Sequence, residues 1–447
     1  MGANEKNGTV RVLGLSTLAL GAVLLLPRAA TAAAPAAPTF TKDVAPIFQE
    51  KCEACHRPDS IAPMSLQTYE AARPWARAIK ARVADRQMPP WHIDKTVGIQ
   101  KFKNDRSLSD EQIETIVKWV DGGAPKGDAK DMPPAKQWPD GQGWNFAALF
   151  GQTEPDMIIN SESFTMLAHS QDAWDKRQTP TGITEPRWVR ALEIRPKTVK
   201  GRRITHHAIA YLQQDEPGQS SGFGLPAPLM EWAVGKQGEI MRPDTGKLLL
   251  PGSRINWDIH YSQAGEEITS AVELGIYFYP KGQEPRYRTS LSLVPAALGT
   301  MDVKPNAITV TQGNTVLRQA ARIESFQAHM HLCGKAMLME AILPTGQTQV
   351  LSYVNNFNFN WHNSYVYADD VAPLVPKGTV LKITAWHDNT SAMKSNPDPN
   401  QWVGWGDRTV DEMAHAWVNI TYMSDEDLKV EIDKRRASQS TNTQQQQ

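Results

Sequence analysis

Cys52-Glu53-Ala54-Cys55-His56 is a short stretch of this 447-residue chain that could do chemistry by itself. Two thiols three positions apart, with an imidazole directly after them, form the attachment sequence of c-type haem. The thiols become thioethers and the imidazole becomes the fifth ligand of iron. A redox dithiol, or a chance pair beside a histidine, is the competing reading. Imidazole is the second source of chemistry. Of the eleven histidines, five of the nine beyond His92 fall in groups: His206-His207, His260, and His329-Met330-His331. Clustered neutral imidazoles suggest a late first-row metal. Side chains alternate along a strand, so His329 and His331 share a face and can grip one ion from two points. His206 and His207 face opposite ways on a regular strand, and both reach one ion only if the backbone bulges there. Single histidines such as His169, His362, His387 and His415 are more often hydrogen-bonded surface or core residues, and they are left out of the metal set. Cys333 continues the alternation of His329 and His331. Its plain reading is a buried, inert thiol, although a thiolate there would be a strong soft ligand.

The elements that must hold these residues follow from composition and periodicity. With 40% hydrophobic residues the chain has material for two to four domains. Lys plus Arg number 47 and Asp plus Glu 48, so the formal charge of -1 gives no long-range pull toward nucleic acid or an anionic membrane. Lys6 and Arg11, the apolar run Val12 to Leu26, and small residues around Ala30 to Ala32 predict a secretory signal peptide over 1-34. Pro27 and Arg28 close that run short of the ~20 apolar residues a spanning helix needs. Residues 39-128 show helical spacing in Val44, Ile47 and Phe48, in Ala78, Ile79 and Val83, and in Ile113, Ile116, Val117 and Val120. Ser109 starts the last of these helices and Gly122-Gly123 stops it, so the expectation is a small all-α domain. A Pro/Gly/Asp-rich linker covers 129-150. Beyond it the period becomes two, as in Val272 to Tyr279, Val380 to Trp386 and Ala416 to Tyr422, which predicts two β-sandwich domains over 151-297 and 298-425. A polar tail, 426-447, has too little apolar surface to fold by itself.

Two resemblances sharpen this outline. Residues 40 to 128, with FTKDVAPIFQEKCEACH at the start and SDEQIETIVKWVDGG at the close, resemble class I-like cytochrome c domains. That resemblance implies one covalent haem c and a distal methionine. Met88, in the irregular Gln87-Met88-Pro89-Pro90-Trp91, suits the role, with Met64 and His92 as rivals. GRRITHHAIAYL, INWDIHYSQAGE, FQAHMHLCGKAM and TVDEMAHAWVNITYM, in that order, resemble the type II copper, ascorbate-dependent monooxygenases, the group of peptidylglycine α-hydroxylating monooxygenase and dopamine β-hydroxylase. This second resemblance implies two jelly-roll-like β-sandwiches, each with one copper, facing each other across an open cleft. It implies that His206, His207 and His260 bind the electron-transferring copper, and that His329, His331 and Met413 bind the copper that meets dioxygen. A thioether is a soft ligand that favours Cu(I), and three imidazoles suit one-electron shuttling.

Departures narrow what the resemblance implies. Gln327 stands where the peptide-hydroxylating members carry a substrate-pairing arginine, Trp417 where they carry a tyrosine, and His415 where they carry an asparagine. A glycine-extended peptide is therefore a poor guess. The expected activity is hydroxylation of a C–H bond of a small organic substrate by dioxygen, with metal ligands and no separate acid or base. Electrons would enter through the haem from a periplasmic donor: a redox protein, a quinol-linked chain or an ascorbate-like reductant. Export implies the periplasm of a bacterial cell. The rival reading is a non-catalytic electron carrier or copper-binding protein, and a third reverses the flow as in a dehydrogenase.

Overall fold

From Met157 onward the chain is built of strands, several of which, such as Val272–Phe278 and Ser325–Met330, are buried on both faces. The computed structural model describes residues 37–445 apart from 59, 139–142, 217–226 and 298, so the signal peptide expected over 1-34 lies outside the described residues. In the first sandwich, strands Ala173–Asp175, Arg254–Tyr261, Thr205–Gln213 and Ala227–Ala233 form one sheet in that order. Trp257, Ile259, Ala208 and Ala210 from this sheet pack against Val189, Leu192, Ile194 and Leu274 from the sheet facing it. That facing sheet contains Met157–Asn160, Val272–Phe278, Arg187–Pro196 and Thr245–Leu249.

The facing sheet does not stop at the first sandwich. Thr245 and Gly246 pair in parallel with Tyr287 and Arg288, and the strand Tyr287–Ala297 pairs along most of its length with Ala414–Met423. One eleven-stranded sheet thus runs through both halves. Tyr287–Ala297, placed by the sequence division at the end of the first β domain, contributes Val294 and Ala296 to the second core. The second sandwich is closed by a sheet in the order Ile93–Gly98, Thr348–Val354, Gly334–Ile342, Val380–Asp388, Ile308–Val316.

The structure corrects the all-α domain expected over 39-128. Helices Ala45–Lys51, Tyr69–Ala72, Ala76–Ala84 and Asp110–Asp121 do form, and Phe40, Phe48, Leu66, Ile79, Ile116 and Trp119 pack between them. The last starts at a Ser109–Gln112 capping box and ends at Gly122. Between the third and fourth helices, however, the chain leaves the helical layer. Ile93–Gly98 becomes an edge strand antiparallel to Thr348–Val354, with Ile93 opposite Val354. Trp91, Ile93 and Phe102 are buried in the core of the second sandwich, where Phe102 stacks on Tyr367 at 5.6 Å. Helices of four to twelve residues offer too little apolar face for these large side chains, which gain burial only against the sheet. Gly98 marks the exit: its φ is 74°, and a Cβ there would lie 2.6 Å from the Leu351 carbonyl oxygen. Residues 38–447 form one unit. Helical spacing in three short windows identified helices, but said nothing about the alternating Trp91 and Ile93 between them.

The polar tail also behaves differently from its expectation. Asp425–Gln445 is a helix, opened by three acidic residues that suit its N-terminus. Leu428 and Ile432 anchor it against Tyr287, Ala320 and Met423. No helix among the described residues is long and apolar enough to cross a membrane.

Phe102→Ala tests the integration of the helical segment. It should destabilise the second sandwich by about 3–5 kcal/mol, read as an earlier midpoint in urea unfolding followed by tryptophan fluorescence. An unchanged midpoint would mean that residues 91–104 are a detachable appendage.

Candidate metal centre

The first histidine group is assembled by a backbone irregularity. Across the antiparallel pair Thr205–Gln213 and Arg254–Tyr261, His260 lies opposite His207, but Tyr261 lies opposite Thr205. His206 is the extra residue of a bulge, and the bulge turns its side chain toward the side that His207 occupies. Ligand atoms of His206, His207 and His260 all lie within 4.8 Å of one another, and the ring centroids are 5.1 to 5.6 Å apart. The Nδ1 atoms of His206 and His207 are 3.3 Å apart. Two nitrogens about 2.0–2.1 Å from a tetrahedral ion stand roughly 3.4 Å from each other, so the spacing fits a bound metal.

Around this group each imidazole is oriented and kept neutral. His260 Nε2 is 3.0 Å from Asp172 Oδ2, which leaves Nδ1 for an ion, and Trp174 stacks on the other ring face at 4.6 Å. Asp172 also accepts a 2.6 Å hydrogen bond from Thr409 of the second sandwich. Burial, reinforced by the neighbouring rings, pushes His206 down to about 4 and His207 well below its ordinary value. Burial lowers His260 as well, against the opposing pull of Asp172. Lone pairs are therefore free at neutral pH.

The second group sits where Ser325–Met330 pairs with Ala414–Met423. His329 is opposite His415, and the two rings stack at 4.4 Å. The pairing ends with Met330 opposite Ala414, and His331 and Met413 are the next residues of the two chains. Glu412 ties the two backbones together: its Oε2 accepts the amides of His331 at 2.9 Å and Met413 at 3.2 Å, and its Oε1 accepts the amide of Cys333 at 2.5 Å. His331 Nδ1 lies 3.0 Å from the Asp411 carbonyl oxygen, leaving Nε2 as the donor toward a metal. Burial pushes Glu412 up to about 8. Burial, with Glu412 and Asp388 nearby, pushes the Cys333 thiol up to about 12, so it stays protonated at neutral pH.

The two groups touch. His207 and His329 rings are 5.9 Å apart, and His362 bridges them, 4.9 Å from His329 and 5.9 Å from His206. Phe359 stacks on His206 at 4.6 Å and meets His331 at 5.9 Å. The contact continues through Gln327, whose Nε2 donates to the buried Glu231 of the first sandwich at 2.8 Å. The open cleft that the copper-enzyme resemblance implies is closed here by these side chains. A groove of about 590 Å³ lies elsewhere, between the second sandwich and the C-terminal helix, beside Leu351, Ile432 and Arg435. The sequence reading passed over Asp172, Glu412, Phe359, His362 and His415. His415 carries a signal as a departure inside a motif, and Glu412 stands in the same motif directly before Met413; Asp172, Phe359 and His362 are isolated in the sequence and meet the site through folding.

The haem motif closes the first helix. Cys52 is its C-cap, and the amides of Cys55 and His56 bond to the Cys52 carbonyl at 3.1 and 2.9 Å. Both cysteines are free thiols. His56 Nδ1 lies 3.2 Å from the Met64 carbonyl, so the ring can donate there and keep Nε2 for iron. The thiol pair and the oriented imidazole fit a covalently held haem. Met88 is half-buried beyond the helix Ala76–Ala84, its amide 3.1 Å from the Arg82 carbonyl, whereas Met64 meets His56 through its backbone carbonyl. His92 belongs to the second sandwich, its amide donating to the Tyr365 hydroxyl at 3.2 Å. Arg106 stands between this motif and the histidines. Arg106, whose charge acts on Cys55, donates to the Gly235 carbonyl at 3.1 Å. Gly235 abuts Trp361, which precedes His362.

No protein-family model matches the chain, and no curated protein matches it. Among solved structures, a structure of infectious bursal disease virus, Gx strain, matches at 9% identity over 66% of this chain and 76% of that one, with a TM-score of 0.17. The VP2 subviral particle of infectious bursal disease virus matches at 10% identity over 60% and 72%, with a TM-score of 0.17. Likeness at that level carries no argument about fold or function.

Asp172→Asn, which keeps shape and removes charge, should weaken copper binding at the first group by about 10–100-fold, measured by competition with a chelator; unchanged affinity would show that Asp172 does not orient His260. The depressed histidines also set a pH response. Unfolding returns each to about 6.5, so between about 6.5 and 4 the unfolded chain binds protons that the fold refuses. The metal-free protein should be most stable above that window and lose about 10 °C or more of melting temperature as pH falls through it. A flat melting temperature from pH 6.5 to 4 would contradict the burial assigned to these rings.

Proposed function

We propose that the chain is an exported copper-dependent monooxygenase that places one oxygen atom of dioxygen into a C–H bond of a small organic substrate, taking its electrons through a haem c on the same chain. The observation that carries this reading is the bulge at His206, which gathers three imidazole donors within 4.8 Å beside a second pair of histidines. A bulge that turns neighbouring imidazoles toward one point does nothing for the pairing of the two strands. It has value as a metal site.

When bound, the copper ions would supply one-electron chemistry toward dioxygen and the haem would store and relay electrons. The chain's own residues do the rest. Asp172 holds His260 in the tautomer that presents Nδ1. Asp411, through its carbonyl, and Glu412, through its carboxylate, fix His331 and the backbone of Met413. Cys52, Cys55 and His56 would hold the haem, and Met88 and Met64 compete for its far side. Arg106 stands between that motif and the histidines, its charge acting on Cys55 and its guanidinium bonded to the Gly235 carbonyl beside Trp361, which supports electron entry from the haem. Burial among Phe359, Trp174 and Trp417 excludes water from the imidazoles.

Protein isolated from a periplasmic fraction should contain two copper ions and one haem per chain. After reduction with ascorbate and rapid mixing with oxygen, wild-type haem should reoxidise within the turnover time, and His329→Ala should slow this by about 100-fold or more. Zinc in place of copper, or haem oxidation indifferent to His329, would favour a non-catalytic electron carrier instead.

A further inference from the structure

Strand Ile308–Val316 ends a sheet. It pairs along its whole length with Val380–Asp388, in unbroken register from Ile308 opposite Asp388 to Val316 opposite Val380. No strand among the described residues pairs with its other side, so a row of backbone N–H and C=O groups is left open there. Its nine residues alternate between exposed and half-buried, and Ile308, Val310 and Val316 on the outer face are 53%, 50% and 53% exposed. Folded proteins blunt such an edge by shortness, a bulge, a charge or a proline. The other ends of the three larger sheets do so. Ile93–Gly98 carries Asp94, Lys95 and an irregular register, and Ala227–Ala233 carries Pro228 and Glu231. Ala173–Asp175, Met157–Asn160 and Leu374–Val375 have only two to four residues. Ile308–Val316, with the sequence ITVTQGNTV, is long, in register, uncharged and free of proline.

The strand is also held in shape. Gly313 presses against the facing sheet, where a Cβ would lie 2.3 Å from the Pro295 carbonyl oxygen. Both ends are tied down: the Asn389 amide donates to the Ala307 carbonyl at 3.0 Å, and the Leu317 amide to the Thr379 carbonyl at 2.9 Å. An edge fixed in this way loses little freedom when a further strand is added. What fits it is the strand itself. Antiparallel pairing of two identical strands is two-fold symmetric and closes with two copies, so it uses up both open edges. With Gln312 on the axis, Ile308 meets Val316, Thr309 meets Thr315 and Val310 meets Asn314. β-branched ends then face each other, threonine faces threonine, and no charge is opposed or left without a counterpart.

We propose that the protein is a homodimer in which Ile308–Val316 pairs antiparallel with the same strand of a second copy, joining the two five-stranded sheets into one. The pairing needs neither copper nor haem.

Sedimentation equilibrium of the full chain over about 1–100 μM tests this, with circular dichroism and melting of each variant as the folding control. The wild type should approach twice the chain mass at the top of that range. Gln312→Lys, which sets two ammonium groups against each other on the axis, and Val310→Lys should each weaken association by about 10-fold or more. Val350→Lys, at an exposed position on another strand, should leave it unchanged. Without any variant, amide hydrogen exchange at residues 308–316 should quicken on dilution. A monomer at every concentration, a dimer indifferent to both lysines, or an assembly that grows past two copies would overturn the proposal.

Discussion

A buried imidazole has to stay neutral, and a neutral imidazole presents a lone pair that something must accept. That constraint organises the middle of this molecule. His206, His207, His260, His329, His331, His362 and His415 form one contiguous cluster between the two sandwiches, each with its proton affinity lowered chiefly by burial. Hydrogen bonds satisfy one nitrogen of His260 and one of His331, through Asp172 and Asp411. His362 and His415 have no such partner, and His415 is driven down to about 3. A cluster like this is a cost to the fold unless ions are present to take up the lone pairs.

The halves that meet at this cluster are not separable bodies. A single sheet passes through both, and residues from one side serve the ligands of the other. Thr409 of the second sandwich bonds to Asp172, which orients His260 of the first, and Glu231 of the first holds Gln327, two positions before His329. Helical residues join in as well: the chain after Met88 enters the second sandwich, and Asn363 reaches back to Pro90. The segment that bears Cys52, Cys55 and His56 is thus fastened to the scaffold that carries the histidines.

Much of this was legible in the sequence, and the reasons for the rest are physical. Runs rich in β-branched and aromatic residues, such as Val272 to Phe278 and Ala414 to Met423, are strands buried on both faces, and that apolar character is local. The pairing of His329 with His331 is likewise written in alternation. The His206 bulge was visible only as a condition, that two adjacent histidines need a kink to share an ion. Whether the kink exists depends on the partner strand, and the register shift opposite Tyr261 answers it. Nothing local distinguishes the single histidine His362; a loop pinned by Pro90 and Gly235 brings it between the two histidine groups. The all-α domain failed for a related reason. Helical spacing around Ile79 and Ile116 is correct, but the fate of Trp91, Ile93 and Phe102 is decided by Val354 and Tyr367, more than 250 residues away.

The account stands or falls on metal between the two sandwiches. Anomalous diffraction from crystals of the copper-loaded protein, collected on both sides of the copper edge, tests it most directly. One peak should lie about 2.0–2.1 Å from nitrogens of His206, His207 and His260, and a second beside His329, His331 and the Met413 sulfur. Peaks at other residues, or a histidine cluster with no anomalous signal in copper-saturated crystals, would contradict it.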